Sequence, residues 1–222
     1  MLAWSIAAAQ FAPQNGSLAE NIVHHLRFIR AAAKLECKVL IFPELSLTGL
    51  TGESGLPSPP SSDQLQPLTD AAHQHQITIV AGLPVEENGQ RSKGVAIFSP
   101  DTAKPYTCAQ GNGTCLTPES RYISVFNLNN DGCDLSPQAS LLATLTSTAE
   151  SQQSLNTQRL QWFARKHAIA VLKSNYSCDD FSGGSALWDE TGQLIVRADQ
   201  GELLVTGRKS AQGWQGDIIP LR

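Results

Sequence analysis

The chain has 222 residues, a hydrophobic fraction of 41% and a formal net charge of −4 at pH 7. This length fits one domain, covering residues 1–222, that can bury a sizeable core. The acidic balance gives no basic patch for nucleic acid, and no apolar run reaches the roughly 20 residues that span a bilayer. The start of the chain has no positively charged segment, so we expect no signal peptide and a soluble, cytoplasmic protein.

The first half of the chain alternates between strand and helix patterns. Residues 4–9 predict a strand, and residues 17–35 predict a helix because apolar residues recur at helical spacing. Ser17 and Glu20 make a capping box at the start of this helix. The apolar run 39–42 predicts a second strand, buried on both faces. After a loop at 51–62 rich in Gly, Ser and Pro, we expect a helix at 63–76 and strands at 77–81 and 96–99.

The last third continues this alternation. Strands are expected at 140–145, 168–172 and 203–206, a helix at 155–167, and a hairpin formed by 186–189 and 194–198. Strands and helices that alternate along a chain are typical of α/β layers. The sequence therefore predicts an α/β fold.

A carboxylate follows the second predicted strand. Glu44 comes after Pro43, just beyond the carboxyl end of the run 39–42. Ligands of open α/β sheets collect beyond the carboxyl ends of the strands, so Glu44 is a candidate general base. An acid that only caps a helix or lies in a loop would fit the same spacing.

The five cysteines are odd in number and scattered along the chain. None has a Cys-x-x-Cys spacing, and no histidine falls near them, so neither a zinc site nor a redox dithiol is expected. Free thiols are the expected state rather than a disulfide scaffold. The cysteines are Cys37, Cys108, Cys115, Cys133 and Cys178.

Three segments resemble the nitrilase superfamily, the carbon–nitrogen hydrolases. Residues 42–49, Phe-Pro-Glu-Leu-Ser-Leu-Thr-Gly, look like the first signature of that family. Residues 7–13 resemble its opening strand, and residues 163–192 resemble its closing third. The resemblance fades between about residues 104 and 154. It implies a four-layer αββα sandwich, two sheets face to face with helices outside, and chemistry without a metal or cofactor.

The chemistry of this family uses three side chains. A cysteine thiolate attacks the amide carbonyl, a glutamate takes the thiol proton and later activates water, and a lysine ammonium stabilises the oxyanion. The resemblance identifies Glu44 as the positional equivalent of the family glutamate.

The family lysine has no counterpart at its usual place. Aligning the chain on Tyr106 puts Cys108 where the lysine belongs, and aligning it on residues 116–119 puts Gly113 there. Neither alignment supplies an ammonium. The nearest substitutes are Lys104 and Arg121.

The nucleophile is expected at Cys133, the best local match, which is followed by Asp134. The residues before it, 128–132, contain an Asp-Gly hairpin signal in place of a strand. The helix that should follow is replaced by Pro137 and the strand-like run 140–145. Part of the strand–elbow–helix unit that presents the nucleophile is therefore expected to be missing. The alternative nucleophiles are Cys108 and Cys115.

Two functions follow from the resemblance. One is an amidohydrolase that cleaves a small amide C–N bond through Cys133, with Glu44 as the base. The other is an inactive family member, a pseudoenzyme that serves as a binding or assembly module. Family members commonly pair, so a homodimer is expected; nucleic-acid and membrane partners are not. Asn175 matches a family position near the site or is an ordinary turn residue, and Glu119 is expected to be a solvated or helix-start acid.

Overall fold

A computed structural model describes residues 4–12, 17–50, 55–109, 135, 139–178 and 181–221, together with the backbone of residues 123–125. The helices are α1 (Leu18–Lys34), α2 (Ser62–His75) and α3 (Gln153–His167). The strands are β1 (Trp4–Phe11), β2 (Val39–Ile41), β3 (Thr78–Glu87), β4 (Gln90–Phe98), β5 (Tyr106–Ala109), β6 (Ile123–Val125), β7 (Leu141–Thr144), β8 (Ala170–Lys173), β9 (Asn175–Cys178), β10 (Phe181–Ser182), β11 (Ser185–Trp188), β12 (Leu194–Ala198), β13 (Leu203–Ser210) and β14 (Gly213–Pro220).

The strands form two sheets. The large sheet has the order β10-β9-β1-β2-β3-β4-β5, and β13 and β14 join it through an antiparallel pairing of β13 with β1. The small sheet has the order β12-β11-β8-β7-β6. In the large sheet β1, β2 and β3 are parallel, and in the small sheet β6, β7 and β8 are parallel. Each sheet therefore has an edge where several carboxyl strand ends meet, which is where α/β proteins place their sites.

The structure has four layers: helices α1 and α2, the large sheet, the small sheet, and helix α3. Three apolar clusters fill the spaces between them. The first joins α1 and α2 to the large sheet, the second fills the space between the two sheets, and the third joins the small sheet to α3. Representative residues are Phe28, Leu40 and Leu65 in the first cluster, Ile41, Val80 and Leu172 in the second, and Leu160, Phe163 and Trp188 in the third. The predicted αββα sandwich is confirmed. Within the described residues, no helix is long and apolar enough to cross a lipid bilayer.

Local sequence signals explain most element boundaries. The Ser17 side chain accepts from the Glu20 N–H while the Glu20 side chain accepts from the Ser17 N–H, so the predicted capping box is confirmed. The polar turn between β3 and β4 is a two-residue hairpin at Asn88 and Gly89, both with positive φ. Asn-Gly favours this turn because both residues tolerate the left-handed region.

Several strands are longer than predicted or were not predicted, and β4 and β14 show why. β4 begins at Gln90, well before the predicted strand 96–99, and its early residues escaped the prediction because they are mostly polar and exposed. β14 was not predicted, since most of its side chains are exposed and give no alternation of apolar and polar residues. The predicted loss of the strand–elbow–helix unit rests on residues 128–133 and Pro137, which lie outside the described residues.

A lysine is buried at the end of β8. Lys173 is only 2% exposed, with Thr144 and Ala186 as its cross-strand neighbours. Burial, followed by the positive charge of Arg197, lowers the pKa of Lys173 to about 7. Below that pH the folded chain carries a desolvated ammonium, and this charge opposes folding.

We expect the Lys173→Met variant to be more stable than the native protein, by on the order of 3 kcal/mol below pH 7. Between pH 7 and about 10.5 the unfolded lysine binds its proton more tightly than the folded one, so native stability rises with pH there and the gain shrinks. Urea unfolding of the native protein and the variant at pH 6 and pH 9.5 measures the gain and its decrease with pH. A gain of equal size at the two pH values would show that the buried charge is not the cause.

Candidate active site

The turn that carries Glu44 follows β2 directly. It spans Pro43–Gly49, and we refer to it as the Glu44 turn. The N–H groups of Thr48 and Gly49 both donate to the Leu45 carbonyl, at 3.1 and 2.8 Å. Leu45 has φ 55°, a left-handed conformation that a bulky residue adopts at an energetic cost. Such a conformation persists only where the surrounding structure fixes it.

Side chains of α1 hold the Glu44 turn from one side. Asn21 donates from Nδ2 to the Leu47 carbonyl at 3.1 Å. His25 Nδ1 lies 2.7 Å from the Asn21 carbonyl, and His25 Nε2 lies 3.0 Å from Ser46 Oγ. Burial lowers the pKa of His25 to about 3, so the ring is neutral. Because a carbonyl only accepts, Nδ1 carries the hydrogen and Nε2 accepts from the Ser46 hydroxyl.

Groups from both sheets hold the same turn from the other side. The Glu44 N–H donates to the carbonyl of Leu145, just after β7 in the small sheet, at 2.7 Å. The hydroxyl of Tyr176, on β9 of the large sheet, donates to the Glu44 carbonyl at 2.6 Å. Burial, followed by the negative charge of Glu44, raises the pKa of Tyr176 well above its ordinary value, so this hydroxyl stays a donor. The backbone of Glu44 is thus fixed at both its polar groups.

Gly82 on β3 leaves room for the turn. Its carbonyl accepts from the Leu47 N–H at 3.1 Å. A Cβ at position 82 would lie 2.2 Å from the Leu45 nitrogen and 2.7 Å from the Pro43 carbonyl oxygen, far inside van der Waals contact. Only glycine therefore allows β3 and the Glu44 turn to approach this closely.

The Glu44 side chain is 7% exposed, and it forms an ion pair with Lys93 of β4. The Lys93 Nζ lies 2.5 Å from Glu44 Oε1, and the Lys93 side chain is 47% exposed. A buried carboxylate is stable only when a charge or hydrogen-bond donor faces it. Lys93 supplies both, and about half of its side chain is exposed.

Sequence reasoning missed Lys93, although a signal for it exists. Val95 and Ile97 of β4 belong to the core between the two sheets. Side chains two residues apart in a strand lie on the same face, so Lys93 is on this inter-sheet face too. The predicted strand began only at residue 96. Lys93 was therefore not assigned to a strand, and the face on which it lies could not be predicted.

The other predicted site residues have different outcomes. Cys133, the expected nucleophile, lies outside the described residues, as do Cys115, Glu119 and Arg121. Lys104 is exposed and precedes β5, which begins at Tyr106, so it is not part of the strand.

Among the cysteines that the structure describes, the prediction of free thiols is wrong for Cys108. Cys108 is disulfide-bonded, which also removes it from the candidate nucleophiles in this state. Cys37 and Cys178 are free, and burial raises the pKa of the Cys37 thiol to about 11, so Cys37 is an unreactive thiol.

Asn175 is committed to the scaffold rather than lining a pocket. Its Nδ2 donates to the carbonyls of Thr148 and Gly183, at 2.9 and 2.6 Å, and its Oδ1 accepts from the Thr148 N–H at 3.0 Å. These contacts join the segment after β7 to β9 and to the loop before β11. The Asn175 side chain therefore holds these segments together.

Comparisons with known proteins agree with this fold. Residues 5–107 match the carbon-nitrogen hydrolase family model. A double mutant of the amidase from Nesterenkonia sp. AN1, in complex with acrylamide, superposes with a TM-score of 0.78 at 16% identity, over 94% of this chain and 91% of that one. Another mutant of the same amidase carries the acetamide moiety of fluoroacetamide on its active-site cysteine; its TM-score is 0.75 at 16% identity, over 91% and 89% of the two chains.

A further similar structure is the glutamine-dependent NAD+ synthetase from Acinetobacter baumannii, in complex with ADP. Its TM-score is 0.76 at 16% identity, and the match covers 96% of this chain but 47% of the synthetase. The chain thus has about half the length of that protein. At these identities the structural likeness establishes the fold.

We expect Gly82→Ala to displace the Glu44 turn, because the new methyl group would overlap the Leu45 nitrogen. The free energy of unfolding should fall by about 1–3 kcal/mol. Hydrogen exchange should accelerate at the amides of Glu44 and Leu47, whose acceptors would move. Urea unfolding and amide exchange measure the two effects.

The matched control is Gly89→Ala in the β3–β4 turn. Gly89 has φ 76°, and no atom lies within 4 Å of the place that a Cβ would take, so alanine there costs backbone strain without touching the Glu44 turn. Its stability should fall by about 1 kcal/mol while exchange at Glu44 stays slow. Slow exchange at Glu44 in Gly82→Ala as well would contradict the proposed steric role of Gly82.

Proposed function

We propose that the chain is a member of the nitrilase superfamily of carbon–nitrogen hydrolases, and that it hydrolyses the C–N bond of a small amide. The observation that carries this proposal is the buried Glu44 carboxylate, which is held on a rigid turn and faces the ammonium of the partly exposed Lys93 side chain. A general base must be fixed in place to be effective, and the backbone contacts of Glu44 supply that fixation.

In the proposed reaction Glu44 is the general base and Cys133 the nucleophile. The Glu44 carboxylate takes the thiol proton as the sulfur bonds to the carbonyl carbon, and the carbonyl electron pair moves to oxygen. When the C=O bond re-forms, the C–N bond breaks and the proton passes from Glu44 to the leaving nitrogen. Water, deprotonated by Glu44, then attacks the thioester, which yields a carboxylic acid and returns the proton to sulfur.

The proposed substrate class is a small, uncharged amide. The structurally similar amidase is seen with acrylamide and with the acetamide moiety of fluoroacetamide. An uncharged amide also suits a site whose carboxylate and ammonium already neutralise each other, because a charged substrate would unbalance that pair. No cofactor is needed for this chemistry.

The alternative is an inactive family member that acts as a binding or assembly module. It is favoured by the segment before Cys133, where the Asp131-Gly132 turn signal replaces the strand that normally presents the nucleophile. A base without a positioned nucleophile would have little to act on. The two functions differ in one property, the reactivity of the Cys133 thiol.

Two further parts of the proposal concern the setting of the protein. A homodimer stays a prediction, and sedimentation at micromolar concentration tests it. A cytoplasmic location also stays a prediction, and the disulfide at Cys108 weighs against it because disulfides are rare in reducing compartments.

For an active hydrolase, iodoacetamide at neutral pH should label Cys133 rapidly and selectively, since a neighbouring base raises the thiolate fraction. Glu44→Gln should slow both this labelling and acetamide or propionamide turnover by a factor of at least about 10². Mass spectrometry of the adduct and ammonia release measure the two rates.

The matched control is Glu86→Gln, which removes an exposed carboxylate paired with Arg91 and should leave both rates unchanged. Slow and indiscriminate labelling of the exposed cysteines, with no ammonia release from the native protein, would support the inactive module instead.

A further inference from the structure

We propose that Lys93 is the oxyanion-stabilising cation of this site, supplied by β4 in place of the lysine that the sequence lacks at its usual position. This inference rests on the proposed amide hydrolysis. It assigns a role to a residue that the sequence resemblance did not identify.

The geometry places an ammonium beside the base. Lys93 Nζ lies 2.5 Å from Glu44 Oε1, so the positive charge is next to the group that handles the protons of the reaction. An amide carbonyl attacked by a thiolate deprotonated by Glu44 must lie within a few ångströms of that carboxylate. The developing oxyanion would therefore form close to Lys93.

The ammonium retains capacity for a second acceptor. A lysine has three N–H donors, and the Glu44 carboxylate takes one of them. The Lys93 side chain is 47% exposed, and Glu44 is the hydrogen-bond partner that the described residues give its ammonium. A substrate carbonyl could accept from another of its donors, and the interaction would strengthen as negative charge develops on oxygen.

Three other cations of the described residues are unsuited to this role. Arg91, two positions earlier on β4, is paired with the exposed carboxylate of Glu86 at 3.0 Å. Lys173 alternates with Leu172 of the inter-sheet core and therefore lies on the opposite face of the small sheet, with Val171. Lys104 is exposed and lies before β5 begins.

In the first step Lys93 changes no covalent bond. As the C–S bond forms, the carbonyl π electrons become a lone pair on oxygen, and the Lys93 ammonium donates a hydrogen bond to that oxygen. When the C–N bond breaks, the pair returns to the C=O bond and the ammonium returns to its initial contacts. The same sequence repeats when water attacks the thioester.

A simpler role must be distinguished from this one. Lys93 could serve only as the charge partner that holds the Glu44 carboxylate in place. Alkylation of the Cys133 thiol by iodoacetamide separates the two roles, because displacement at a saturated carbon needs an activated thiolate but forms no oxyanion. Amide hydrolysis needs both.

The test compares Lys93→Met with the native protein in both reactions. We expect kcat/KM for acetamide to fall about 10²–10³-fold, as for loss of one oxyanion donor, while the rate of Cys133 alkylation changes less than about 3-fold. Lys93→Arg, which keeps a cation, should recover part of the hydrolysis. Arg91→Met is the matched control on the same strand and should leave both rates unchanged.

Each other outcome has a definite meaning. An equal loss of hydrolysis and alkylation in Lys93→Met would overturn the oxyanion role and leave Lys93 as a positioning partner of Glu44. Unchanged hydrolysis would exclude Lys93 from the mechanism altogether. Absence of both reactions in the native protein would instead overturn the proposed function itself. Thermal unfolding of each variant establishes that it is folded, a control that is needed because Lys93→Met removes the partner of the buried Glu44 carboxylate.

Discussion

The hydrogen bond from the Glu44 N–H to the Leu145 carbonyl is the contact on which the site depends. It joins the turn after β2, in the large sheet, to the segment after β7, in the small sheet. The Tyr176 hydroxyl fixes the other backbone polar group of the same residue. Because backbone groups buried away from water must be paired, these two bonds determine where the carboxylate can lie. The α1 contacts then determine how the rest of the turn is folded.

Gly82, Leu45 and His25 each have an unusual property, and the packing around the Glu44 turn explains all three. Gly82 has no side chain because the turn passes too close to β3. Leu45 keeps a left-handed backbone because the surrounding hydrogen bonds hold it there. His25 is neutral because it is buried, and its two nitrogens are used by a carbonyl and a hydroxyl. All three features lie around one carboxylate, which is the pattern expected where a scaffold holds a functional group rigidly.

The sequence identified the layers, the capped first helix and Glu44, because apolar periodicity and a compact motif are local signals. It did not identify Lys93, since the exposed start of β4 shows no alternation and the ion pair depends on a partner far away in the chain. It missed β14 for the same reason, as an exposed edge strand lacks an apolar pattern. The bonded state of Cys108 was likewise not readable, because spacing alone does not show which sulfur atoms meet.

The way in which the Glu44 turn is assembled also has a consequence for folding. Tyr176 and Glu44, which share a hydrogen bond, are 132 positions apart in the chain. Such long-range pairing requires closure of a large loop, and this closure is slow compared with helix or hairpin formation. During synthesis the segment that carries Glu44 emerges long before its partners on β7 and β9. The carboxylate is therefore exposed in the nascent chain, and the site matures only after these later segments have been synthesised.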